Sequence, residues 1–226
     1  MKSGAPERAP QAPVESGDRV RRLEGNGVEL VRERALAGTV QEALERLYLL
    51  DRVADVGDYL REAVAGEREA LLVREAHDGA LEMTLRLPAL EGEAGLDALC
   101  QIIEGVSHFV YVVERARVER EATQLEMELQ AEVDKWVVLA ASLRGGLDVG
   151  RSADLRARLY EQVRFEHEET SELGQRYRVA NDAAHRFVRR MERDYVGRAR
   201  FGEMRAELRH FFSVGQEEKL RLGRVS

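Results

Sequence analysis

Cysteine is nearly missing from the chain: Cys100 is the one thiol in 226 residues, so no internal disulfide can form, in keeping with a reducing compartment. Lysine is almost as scarce. Lys2, Lys135 and Lys219 are the three among 35 basic residues, and arginine in place of lysine over a whole surface reads as composition bias rather than a shared function. Three of the four prolines, Pro6, Pro10 and Pro13, crowd into residues 1–18, a segment too poor in apolar residues to order itself. No uncharged apolar run approaches the roughly 20 residues of a membrane helix, and the N-terminus has no apolar signal core. The expectation is a soluble, cytoplasmic protein with no membrane partner.

Sequence motifs of catalysis are missing too. There is no Gly-rich phosphate loop followed by Lys-Ser or Lys-Thr, no Gly-x-Gly-x-x-Gly, no His-Glu-x-x-His, no paired Cys-x-x-Cys and no Gly-x-Ser-x-Gly. Nucleotide hydrolysis, dinucleotide redox chemistry and zinc proteolysis lose their usual supports. The balance points away from an enzyme, and no cofactor is expected.

What the chain does have is a core's worth of apolar residues, 44%, beside 34% charged ones. Charge is unevenly spread. Residues 91–134 hold 11 acidic and three basic side chains, a net −8, whereas residues 176–210 hold ten Arg against five acids, a net +5. Two such segments can lie against one another within the fold or face outside partners.

The order of elements follows from periodicity and punctuation. After the tail, Leu23-Glu24-Gly25-Asn26-Gly27-Val28 marks a turn, and Val28–Leu36 fits a short strand or a helical turn equally. Thr39-Val40-Gln41-Glu42 has capping-box spacing and predicts a helix over about 40–50; a second helix is expected over 59–64 after Gly57-Asp58. Leu81, Met83, Leu85 and Leu87 alternate with polar residues after Leu71-Leu72-Val73 and Asp78-Gly79, which predicts a hairpin over about 70–88. Leu96, Leu99, Cys100 and Ile103 return to helical spacing, with Gly105 at a C-terminal cap. His108–Val118, rich in β-branched and aromatic residues, then reads as a third strand, its rival being one continuous helix over 95–143.

Thr123-Gln124-Leu125-Glu126 decides that choice, because a capping box in mid-helix would find no unpaired N–H to satisfy. It opens a helix carrying Leu129, Val133, Trp136, Ala140 and Leu143 on one face. Gly145–Gly150 is the turn, Ser152 the N-cap, and Leu155, Leu159, Val163, Leu173, Tyr177, Ala180, Ala184, Phe187 and Met191 form the returning arm. Met204, Leu208, Phe211 and Phe212 make a last amphipathic helix that folds back. The expected fold is α+β: a small antiparallel sheet, from the hairpin plus a strand over 108–118, covered by helices and followed by a long antiparallel helical hairpin. Its expected divisions are a tail (1–18), an α+β region (19–122) and a helical hairpin (123–226), the last two continuous.

Four constellations bear on function. If the two long helices pair about the Gly145–Gly150 turn, Glu128 and Glu132 face His167 and Glu166, which is what a metal site in a helix bundle needs. The usual Glu-x-x-His on each of two helices is missing. Glu104 and His108, with Asp182 and His185, offer another set, but the first two fall across the Gly105 break and the second two on an outer face. Cys100, in the most acidic part of the chain, reads as a small core residue with a raised thiol pKa. Arg186, Arg189, Arg190 and Arg193, at i, i+3, i+4 and i+7, put four guanidinium groups on one helical face, suited to an acidic protein surface, to self-association or, less well in an acidic protein, to nucleic acid. The functional expectation is therefore protein–protein interaction, as a regulator or assembly component, through this Arg face. Metal binding on facing helices stands second and nucleic-acid binding third.

Overall fold

A computed structural model describes residues 20–22, 30–52, 54–64, 66–90, 95–165 and 167–224. The expected tail, the 23–28 turn and Glu166 lie outside the described residues. In chain order the elements are β1 (Val20–Arg22), α1 (Val31–Tyr48), α2 (Val56–Tyr59), β2 (Leu60–Glu62), β3 (Ala70–Glu75), β4 (Leu81–Leu87), α3 (Leu96–Arg117), α4 (Gln124–Ala141), α5 (Val149–Arg156), α6 (Glu172–Asp194), α7 (Phe201–Ser213) and α8 (Gln216–Leu222). The broad α+β class holds, while the sheet and the helical pairing both differ from expectation.

The hairpin forms as its alternation requires. β3 runs antiparallel to β4 from Ala70 opposite Arg86 to Glu75 opposite Leu81, and Gly79, at φ 80°, closes the turn. Met83, Leu85 and Leu87 are fully buried, the inward half of the period-2 pattern. The opposite edge of β4 is filled by two short parallel strands in tandem, β1 against Leu81–Met83 and β2 against Leu85–Leu87. The sheet is thus mixed, not antiparallel. Three-residue strands carry too few side chains for an alternation to be read, and 60–62, expected as helix, is strand β2.

The strand expected over 108–118 is the second half of α3. Its β-branched and aromatic residues Val106, Phe109, Val110, Tyr111, Val112 and Val113 are all buried, because α3 is enclosed by the sheet, α1 and α4. A helix buried on all sides has no polar stripe to reveal its period, and tertiary packing overrides a β-preference worth only a few tenths of a kcal/mol per residue. By length and hydropathy α3 is apolar enough to cross a bilayer, yet 72% of its apolar window is buried inside the protein. Gly105 is no cap either. A Cβ there would stand 2.8 Å from Leu85 Cδ1 and 3.2 Å from Leu87 Cδ2, so its bare Cα is what lets the helix lie this close to the sheet.

The Thr123 cap is real, with its hydroxyl accepting from Glu126 N–H at 3.1 Å. The capping box does exclude one continuous helix over 95–143, but it does not require a strand before it: α3 ends at Arg117 and a short turn separates it from α4. The Glu126 carboxylate does not return to the Thr123 backbone. It is buried against the Tyr111 hydroxyl and the Arg115 guanidinium, and Arg115 also donates to Val214 O at 2.7 Å, tying the α3–α4 turn to the α7–α8 junction. The other Thr spacing is misleading: α1 begins at Val31, and Thr39 sits in mid-helix with its hydroxyl donating to Ala35 O.

Pairing across α3 and α4 is antiparallel, Glu104 meeting Lys135, Ser107 meeting Asp134, and Tyr111 meeting Glu126. α5 starts at an Asp148 N-cap rather than at Ser152, which is buried against Glu192 at 2.8 Å. The expected single returning arm is broken. After α5 the chain makes one π-helical turn (Ala157–Glu161) and a reversal over 162–171, so Tyr160 O accepts from Asn181 at 3.2 Å and α6 runs antiparallel to α5 and alongside α4. Instead of one hairpin about 145–150, α3 to α6 form an up-and-down meander of four. α7 closes the core as expected, with Phe211 on Phe187 (4.3 Å between centroids) and Phe212 on Tyr48 (4.2 Å). α8 brings Lys219 into a second polar network, where its ammonium group donates to Gln130, Gln130 donates to Asp134 and to the Tyr48 hydroxyl, and Ser107 donates to Asp134 at 2.6 Å.

Two stability outcomes follow from these contacts. Arg115→Met leaves Glu126 charged and buried without its partner and is expected to cost about 3 kcal/mol or more in chemical denaturation. Leu49, 70% exposed, ends α1 at φ 58°. A left-handed non-glycine residue costs about 1–2 kcal/mol, against about 0.5–1 kcal/mol for the extra freedom of glycine in the unfolded chain. Leu49→Gly is therefore expected to raise stability slightly, by up to about 1 kcal/mol, in the same assay.

Candidate metal centre

With Gly105 inside the helix, Glu104 and His108 are separated by one turn of α3 and project from the same face. Facing them on α4 are Glu128, Glu132 and Lys135, and α6 contributes Arg176. Glu69, just before β3, reaches the same place: its Oε2 would be 3.4 Å from a Cβ on Gly105. The sheet, the α3–α4 hairpin and α6 therefore converge on one buried cluster of charge.

Ligand atoms of Glu104, His108 and Glu128 all lie within 4.8 Å of one another, and each of the three residues is buried. Among the described residues this is the one trio of metal-ligating groups that meets so closely. His108 Nε2 is 3.9 Å from Glu128 Oε2, too far for a hydrogen bond, and has no hydrogen-bond partner. Glu69 Oε2 and Arg176 Nε are buried without a hydrogen-bond partner as well, the latter 3.8 Å from Glu128 Oε1. Unsatisfied polar atoms are uncommon in protein interiors, and three in one cluster call for a ligand or a proton.

Electrostatics divides the carboxylates into two kinds. Lys135 Nζ is 2.8 Å from Glu104 Oε2 and 2.9 Å from Glu132 Oε1. Burial works against its charge, but these two carboxylates hold its pKa well above the usual lysine value. Burial would likewise push Glu104 up, and the Lys135 ammonium group beside it outweighs that, keeping its carboxyl below the usual range. Glu128 has no such partner at hydrogen-bond distance. Burial and the Glu104 charge push it up to about 8, and the same two causes raise Glu69 well above the ordinary carboxyl value. Burial lowers His108, so its ring is neutral at physiological pH, the form that binds metals.

Half of each expected constellation enters this cluster. Glu128 is in it; Glu132 borders it, facing Lys135. His167 is exposed, stacked on Tyr177 at 5.6 Å, and does not reach the carboxylates, because the reversal over 162–171 places Arg176 where the expected hairpin placed His167. Asp182 is exposed, and His185 lies elsewhere, its Nε2 2.8 Å from Arg156 and its ring over Tyr160. Cys100 behaves as expected, its thiol pushed up to about 11 by burial.

The Arg face is largely engaged within the chain. Arg190 turns inward to pair with Glu207 at 2.7 Å and covers the Phe187 ring. Arg186 donates to Gly223 O at 3.0 Å, and Arg193 forms a two-pronged pair with its neighbour Asp194. Arg189 is exposed. Reasoning from sequence missed Glu69 and Lys135. The scarcity of lysine was the available signal for the second, since Lys135 and Lys219 both prove to be buried.

No protein-family model, curated protein or solved structure matches the chain.

The raised Glu128 carboxyl has a measurable consequence in metal-free protein. Its pKa is near 4.5 when unfolded and about 8 when folded, so between those values the folded state holds the extra proton and rising pH removes stability. Glu128→Gln stays neutral throughout. Its melting temperature is expected to gain on that of the parent as pH goes from 5 to 8, and two parallel curves would show that Glu128 titrates normally.

Proposed function

We propose that the protein binds a first-row divalent metal ion between α3 and α4, with Glu104, His108 and Glu128 as ligands. One observation carries the reading: the neutral His108 ring, 8% exposed, holds Nε2 without a hydrogen-bond partner among carboxylates. A mixed imidazole and carboxylate set suits zinc, manganese or ferrous iron better than calcium or magnesium, which take oxygen alone. Ligand atoms around zinc at bond lengths of about 2.0–2.2 Å stand roughly 3.4 Å apart, so atoms already within 4.8 Å need only side-chain adjustments of about an ångström to close.

Protons and charge support the same reading. A dication would displace the proton held by Glu128, satisfy His108 Nε2 and offset the carboxylate repulsion that adds to the effect of burial on Glu69. Affinity should then climb with pH by up to roughly tenfold per unit below the Glu128 pKa, one proton being released per ion bound. Protein–protein contact through Arg186, Arg189, Arg190 and Arg193 has narrower support, since Arg190 is already paired with Glu207.

Calorimetric titration with Mn²⁺ and Zn²⁺ at pH 6 and pH 8, alongside elemental analysis of purified protein, tests the proposal. Saturable binding that strengthens with pH is expected, with at least a tenfold loss in His108→Ala and in Glu128→Gln while both variants keep a cooperative melt. Binding that is undetectable, or that survives both substitutions, would overturn it.

A further inference from the structure

The metal reading leaves Lys135 unexplained, and the cluster contains more than one place for a cation. Glu104 is shared between the two halves. It contributes a ligand atom to the trio with His108 and Glu128, and its Oε2 contacts Lys135 Nζ at 2.8 Å. Lys135 in turn contacts Glu132 Oε1 at 2.9 Å. A carboxylate bridging two positions on facing helices, each position closed by a further carboxylate, is the arrangement that holds paired metal ions about 3.5–4 Å apart in two-metal sites. Here an ammonium group on a buried side chain fills the second position.

Charge balance gives the same count of ions. Four carboxylates, Glu69, Glu104, Glu128 and Glu132, face two cations, Lys135 and Arg176, and the neighbouring Arg68 is matched by Asp97 at 3.3 Å. With all four carboxylates ionised the surplus is two negative charges, which one divalent ion neutralises in place of the protons of the metal-free protein. Without Lys135 the surplus would be three, and Glu104 and Glu132 would be left facing each other with no cation between them.

We infer that Lys135 is a built-in cation that occupies the second position of a potential two-metal cluster and limits the protein to one metal ion per chain. This rests on the proposed metal centre and adds a specific role: the lysine sets the number of ions. Its ammonium group also holds the Glu104 carboxylate in the seam, 2.8 Å away, beside the position of the first ion.

Stoichiometry measured by elemental analysis and calorimetry with Mn²⁺ separates this inference from the reading beneath it. The parent protein is expected to saturate at one Mn²⁺ per chain, Lys135→Met at two, and the double variant Lys135→Met/Glu132→Gln at one again, because the second position then lacks its closing carboxylate. Lys135→Met buries uncompensated charge, so it should be refolded with and without Mn²⁺, and recovery of the fold with Mn²⁺ is expected. One ion or fewer in Lys135→Met, failure of Mn²⁺ to restore its fold, or two ions in the parent would each overturn the role of Lys135. No ion at all in the parent would instead remove the metal centre itself.

Discussion

Charge buried in the seam between α3 and α4 is the constraint on which the rest of the structure depends. α4 carries Glu126, Glu128, Gln130, Asp134 and Lys135 into the interior, and none of them can be left there alone. Four of the five are answered by neighbouring elements: Glu126 by Arg115 of α3, Gln130 by Lys219 of α8, Asp134 by Tyr48 of α1 and Ser107 of α3, and Lys135 by Glu104 of α3. The positions of α1, α3 and α8 around α4 are therefore tied to polar partners as well as to apolar area. Buried ion pairs contribute little net stability compared with apolar side chains of the same shape, because desolvation offsets the Coulomb gain. What they add here is register. Sliding α3 along α4 by one turn would separate Glu104 from Lys135 and Arg115 from Glu126 together.

Two of these networks differ in how completely they are satisfied, and the difference locates the chemistry. Around Asp134, every polar atom has a hydrogen-bond partner, and although burial raises its carboxyl to about 6 the Ser107, Tyr48 and Gln130 donors limit the rise. Lys219 there is pushed well below the usual lysine value by burial, between the Tyr111 and Phe211 rings, and serves as a donor at the end of a closed chain. Around Glu128 the accounting does not close. His108, Glu69 and Arg176 each retain a buried polar atom without a partner, and burial raises the carboxyls of both Glu128 and Glu69. A satisfied network rigidifies a core, whereas an unsatisfied one is a strain reservoir or a ligand site.

The parts of the fold that were legible are those with one wet face. The β3–β4 hairpin, the start of α4, and the apolar faces of α6 and α7 all show a period because alternate positions meet water. α3 meets almost none, so its composition, rich in Val, Tyr and Phe, suggested a strand where packing makes a helix. Gly105 compounded the error, since glycine after a helical run resembles a cap until the neighbouring sheet is known. The reversal over 162–171 was hidden for the opposite reason. The apolar spacing of α5 continues in phase into α6, so two helices running in opposite directions read as one.

The site inherited both errors, and its residues could not have been assembled from either helix alone. Glu104 and His108 share a face only if α3 is unbroken, and they meet Glu128 only if the chain turns back at 118–123. Net charge had marked the region correctly. The strongly acidic segment over 91–134 is the α3–α4 hairpin, and much of its acidity is internal: Glu104, Glu126, Glu128 and Asp134 are all buried. An acidic stretch that is largely exposed needs nothing beyond water and salt. One folded inward needs protons, basic side chains or a metal ion. This chain provides basic partners for Glu104, Glu126 and Glu132, hydroxyl and amide donors for Asp134, and for Glu128 only a distant guanidinium and an unpartnered imidazole. Among these carboxylates the imbalance therefore falls on Glu128, beside Glu104, which already bridges to Lys135.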